Sequence, residues 1–134
     1  MTQPVLNETM GEGITLETLM QYDRMEVIDG ALQEKAMTGF THVHIIGNIV
    51  DLIRPFVKKH RLGFFWGDGL TCILHEDKNR KIRVSRLPDS CFIRSADMPQ
   101  FDHDRPFPGA PTLAIEVASP KESNAELLAK VTDY

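Results

Sequence analysis

The chain has little of what several function classes require. Two cysteines, Cys72 and Cys91, are too few for the disulfide framework of a small secreted scaffold. In a reducing compartment they read as thiols packed in the core. A zinc set drawn from Cys72, His75, Cys91 and His103 has one close pair, Cys72-x-x-His75, and fits no ribbon or finger spacing. No apolar run approaches the ~20 residues that span a bilayer, so no membrane partner is expected. Met1-Thr2-Gln3-Pro4-Val5 lacks the basic start and apolar stretch of a secretory signal, which leaves a cytoplasmic location as the default. There is no Gly-rich phosphate loop, no G-x-S-x-G, no internal repeat and no low-complexity segment.

An excess of positive charge is also missing. The formal net charge is −4, which argues against a surface built for tight nonspecific DNA binding. The basic residues are nevertheless clustered: Arg54, Lys58, Lys59, His60 and Arg61, then Lys78, Arg80, Lys81, Arg83 and Arg86. The simpler reading is two solvated faces, and the functional one is a phosphate-contacting rim around an acidic centre. With 42% hydrophobic and 25% charged residues in 134, the chain is long and apolar enough for one globular domain.

The pattern predicts a tail over 1–13 and one domain over 14–134. Thr15 can cap a short helix. Asp29-Gly30 between Met25–Ile28 and Ala31–Glu34 is a hairpin signal. Ile45, Ile46, Ile49, Ile53, Phe56 and Val57 recur at helical spacing, so a helix is expected over 41–60, capped by Thr38 or Thr41, bent at Pro55 and ended by Gly63. Strands are expected at 64–66, 70–74, 82–84, 90–93 and 112–118, a long loop at 95–110, and a helix over 123–134 with Leu127, Leu128 and Val131 as its apolar face. The class is α/β of the α+β kind, without the regular alternation of a doubly wound sheet.

Two of these strand-like runs carry a carboxylate: Leu87-Pro88-Asp89-Ser90-Cys91-Phe92-Ile93 and Leu113-Ala114-Ile115-Glu116-Val117-Ala118. A buried charge needs a partner, a hydrogen bond or a metal. Two carboxylates on neighbouring strands can hold one divalent cation between them.

The order of Glu26-Val27-Ile28-Asp29-Gly30, Thr38-Gly39-Phe40-Thr41-His42, Leu87-Pro88-Asp89, Pro108-Gly109-Ala110-Pro111-Thr112-Leu113-Ala114-Ile115-Glu116-Val117-Ala118-Ser119-Pro120 and Lys130-x-x-x-Tyr134 resembles the Uma-type family of predicted endonucleases. The resemblance runs from about Glu17 to Tyr134. It implies a restriction endonuclease-like core, a central mixed β-sheet flanked by helices, with the final core strand of the family missing after Tyr134. It also implies a metal-dependent endonuclease acting on DNA. Asp89 and Glu116 match the family's metal-binding acids, and magnesium or manganese is the expected ion, since magnesium takes one or two protein carboxylates and keeps several waters. The position two residues after Glu116 is Ala118, so the resemblance moves the lysine to Lys130 on the following helix. It also assigns site roles to Glu26, as a further ligand or positioning group, and to His42, as a proton carrier or phosphate donor. A homodimer is expected, because cutting both strands of a duplex takes two sites.

The acidic balance, Ala118 and the early end keep a second reading open: a non-catalytic nuclease-fold module used for binding or assembly. A carboxylate-pair sugar hydrolase is less favoured, for one tryptophan and no flanking aromatic pair make no sugar-stacking cleft.

Overall fold

The structure is a computed structural model and describes residues 12–134. All but Glu12 and Gly13 of the expected tail lies outside the described residues. The element order is α1 (Leu16–Leu19), β1 (Met25–Ile28), β2 (Ala31–Glu34), α2 (Phe40–Lys59), β3 (Gly63–Trp66), β4 (Cys72–Glu76), β5 (Ile82–Arg86), β6 (Ser90–Arg94), a 3-10 helix (Ser95–Gln100), β7 (Leu113–Ile115) and α3 (Asn124–Asp133). The expected α+β class holds. Its strands divide into two sheets, in the order β2-β1-β5-β4 and β3-β6-β7. All their pairings are antiparallel. Parallel pairing occurs, among the described residues, at the bridge between Cys72 and Phe107.

Local chemistry accounts for most of these elements. Thr15 caps α1 by accepting a hydrogen bond from the Thr18 N–H. Asp29 and Gly30 have φ of 50° and 80°, the positive pair that a tight hairpin turn of this hand demands. The second helix starts at Gly39 without any side-chain cap, so neither Thr38 nor Thr41 plays the expected part. It runs unbroken through Pro55 and gives way to Arg61 in the left-handed region, two residues before Gly63. Gly63 opens β3 opposite Arg94, where a Cβ would run into the backbone of Ile93 and Arg94.

The inner face of α2 is narrower than its sequence suggests. Ile46 and Val57 are buried, whereas Ile45 and Phe56 are exposed. One core cluster gathers Ile14, Leu19, Val27, Ile73 and Ile82; a second gathers Cys72, Ile93 and Phe107. The region read as a loop over 95–110 contains the 3-10 helix and delivers Phe107 to β4. Among the described residues no helix is long and apolar enough to cross a membrane.

The chain crosses from the first sheet to the second between Arg86, the end of β5, and Ser90, the start of β6. Leu87, Pro88 and Asp89 make that crossing, and all three are buried. An unpaired backbone in such a place is costly, so its polar groups need partners from elsewhere.

Candidate active site

Those partners define the site. The Leu87 N–H donates to Glu26 Oε2 on β1 at 2.8 Å, and the Leu87 carbonyl accepts from Lys35 Nζ, just past β2. Hairpin β1–β2 therefore holds the crossing segment from two sides. Asp89 follows, and only 4% of its side chain is exposed. Its Oδ1 accepts from Lys35 Nζ at 2.8 Å and lies 3.3 Å from His42 Nε2 on α2. Its Oδ2 accepts the Val117 N–H at 2.7 Å.

That last bond explains why β7 is shorter than expected. The ladder between β6 and β7 pairs Ser90 with Ile115 and Cys91 with Ala114. Continued by one residue, it sets Asp89 opposite Glu116, on one face of the sheet. There the Val117 N–H goes to a carboxylate instead of a strand carbonyl, and regular pairing stops at Ile115.

The Glu116 side chain is 8% exposed. Its Oε1 accepts from the Tyr134 hydroxyl at 2.9 Å, while Oε2 is buried and, among the described residues, has no hydrogen-bond partner. Lys130 Nζ lies 3.7 Å from that oxygen, too far for a hydrogen bond, and 2.6 Å from Glu122 Oε1. Lys130, Asp133 and Tyr134 fall on one face of α3 by their spacing of three and four. A Ser123–Glu126 capping box fixes the start of that helix. Because polar side chains take the inward face, Leu128 and Val131 are left exposed, and the expected apolar face is only half-buried at Leu127.

Protonation differs across the pair. Burial opposes ionisation of Asp89, but the Lys35 hydrogen bond, the Val117 N–H and the charges of Lys35 and His42 outweigh it and hold the carboxyl below its ordinary value. Glu116 is pushed up to about 7, by burial first and then by the negative charge of Asp89. Burial works against the Lys130 charge, yet Glu122, Glu116 and Glu26 more than compensate and raise its pKa. Tyr134 is raised too, by burial and by Glu116, so its hydroxyl stays a donor.

Of the residues singled out from the sequence, Asp89, Glu116, Lys130 and His42 converge. Glu26 stands one step back: its second oxygen pairs with Arg86 Nη1 at 3.4 Å, and Arg86 Nε bonds Asp133 Oδ2 at 2.8 Å. Arg86 is thus buried and absent from any basic rim. Sequence reasoning missed Lys35, Arg86 and Glu122 as site neighbours. The one available signal was Tyr134, set four residues after Lys130 and so on its face. Cys72 and Cys91 are buried thiols whose pKa values burial pushes up to about 12 and about 11. Protonated thiols are poor metal ligands.

Among the described residues no group of three or more His, Cys, Asp and Glu is arranged to hold a metal. The carboxylate pair still suits a hard divalent cation that keeps most of its waters, because Glu116 Oε2 is a buried oxygen lacking a donor. A cleft of about 300 Å³ is lined by Asp89 together with Thr38, His42, Ile46, Gly67 and Asp68.

The site thus sets a strand-crossing aspartate opposite a strand-end glutamate, with a helical lysine beside the glutamate. A solved chain described as a putative nuclease belonging to DUF820 from Anabaena variabilis shares the fold, with a TM-score of 0.69 and 23% identity; the match covers 89% of this chain and 66% of that one. The profile of the Uma2 family, described as "Putative restriction endonuclease", matches residues 15–134, and the chain belongs to that family. The comparison with curated proteins gives no match.

Proposed function

We propose that this protein is a metal-dependent endonuclease that hydrolyses DNA phosphodiester bonds, with Asp89 and Glu116 holding one magnesium or manganese ion. The observation that carries this reading is the cross-strand carboxylate pair, with Glu116 Oε2 buried and unpartnered beside Lys130. A divalent ion there supplies a water activated at neutral pH and positive charge against the phosphate. Lys130 keeps its own positive charge next to Glu116 and is placed to stabilise negative charge developing on the phosphate. His42, with Nε2 on Asp89 and a buried, unpartnered Nδ1, can carry a proton or donate to a phosphate oxygen. Glu26 serves as a positioning group, since its oxygens are engaged by the Leu87 N–H and Arg86. DNA in a cytoplasmic setting is the substrate, and a homodimer supplies the second cut of a duplex.

A DNA cleavage assay with magnesium or manganese tests the reading. The wild type cleaves, and Asp89→Ala loses about a hundredfold or more, the scale on which groups that support a metal or a developing charge act. Equal cleavage by both proteins sinks the assignment.

One observation favours the second reading, a non-catalytic module of the same fold: both oxygens of Asp89 already have protein partners. Calorimetric titration separates the two, because a module of that kind leaves magnesium and manganese unbound with Asp89 and Glu116 intact.

A further inference from the structure

Lys35 has no part in the function just described, yet it is the cation most tightly joined to Asp89. Its side chain is only 9% exposed. An ammonium has three protons to donate, and this one faces three acceptors: Asp89 Oδ1 at 2.8 Å, the Leu87 carbonyl, and Asp68 Oδ1 at 3.5 Å. Asp68 sits at the rim of the cleft, 39% exposed, and also pairs with Arg24. A lysine stem has several rotatable bonds, so the ammonium can exchange one of these carboxylates for the other without backbone movement.

We propose that Lys35 is the resident counter-cation of the metal-free site, and that a divalent ion binds by displacing it from Asp89 toward Asp68. This rests on the reading of Asp89 and Glu116 as the metal ligands. The physical reason is charge. Without a metal, Asp89 and Glu116 repel one another at close quarters, and burial sharpens that repulsion. Lys35 offsets it at Asp89. Once a doubly charged ion reaches the same carboxylate, the ammonium becomes a like charge beside it. The nearest anion with solvent access is Asp68. Metal affinity is therefore set by a contest between an internal cation and an external one, and Asp68 biases the contest toward the metal.

The test uses the full chain and manganese alone, titrated calorimetrically. Lys35→Met raises manganese affinity about tenfold, the scale on which groups bordering metal ligands act. Asp68→Asn, at an exposed position that leaves the core untouched, lowers it several-fold by removing the place Lys35 moves to. Lys35→Met binding manganese no more tightly than wild type overturns the displacement. Unchanged or tighter binding by Asp68→Asn overturns the role of Asp68. If folded wild type and Lys35→Met both fail to bind manganese, the metal reading itself falls and takes this inference with it. Equal binding by the two removes only the assignment of Lys35.

Discussion

Asp89 and Glu116 carry the same chemical group at facing positions of the β6–β7 register, yet their surroundings shift their pKa values in opposite directions. Asp89 is held ionised by Lys35 and the Val117 N–H, and Glu116 is pushed up to about 7 by burial and by Asp89 itself. The consequence for stability follows from proton counting. Between about 4.5 and about 7 the folded chain binds more protons at Glu116 than the unfolded chain does, so this group's contribution is fully present below that window and is lost as pH rises through it. Urea unfolding of the metal-free protein at pH 5 and pH 8 checks this: Glu116→Gln removes a decline on the order of 3 kcal/mol at most. Asp89 has the reverse sign, and its contribution is present above its ordinary pKa and lost as pH falls. The sequence made both carboxylates conspicuous, because each interrupts an apolar run. It could not reveal Lys35, which lies 54 positions from Asp89 and reads on its own as a solvated charge after a hairpin.

At the scale of elements, Arg86 does what no backbone ladder does and ties α3 to the first sheet. It sits at the end of β5, pairs with Glu26 on β1 and reaches Asp133 at the end of α3. Arg86→Met strands the buried carboxylate of Glu26 and the half-buried one of Asp133, and should cost about 3 kcal/mol in urea unfolding, with part of the loss recovered when Glu26→Gln is added. The hairpin, α2 and α3 were legible in sequence because each shows a local pattern: Asp29-Gly30, an apolar stripe, and Leu127, Leu128 and Val131 at helical spacing, although the last two prove exposed. The early stop of β7 and the 3-10 helix were not. The first depends on an Asp89 carboxylate arriving from another strand, and the second lies in a proline-bearing stretch without periodicity.

Across the whole molecule, apolar side chains outnumber what the two core clusters absorb. Among the described residues, Leu52, Phe56, Phe40 and Val43 of α2 and Leu128 and Val131 of α3 are all more than half exposed. An apolar surface of this kind favours association, so light scattering should give a mass above 15.2 kDa that rises with concentration. Leu52→Lys with Phe56→Lys should return it toward the single-chain value, whereas a mass independent of both concentration and substitution argues against a homodimer. The division into two sheets, invisible to a reading that expected one mixed sheet, is what puts the site where it is, since the crossing segment carries Asp89 between them. That crossing also supplies a gauge of the molecule's breathing. The Leu87 amide belongs to no strand ladder and would ordinarily exchange its hydrogen for deuterium quickly. Here a glutamate from β1 holds the N–H, while a lysine beyond β2 holds the carbonyl of the same residue. Its exchange rate therefore reports how often the hairpin lifts away from the seam between the sheets, and a single amide signal becomes a clock for that motion.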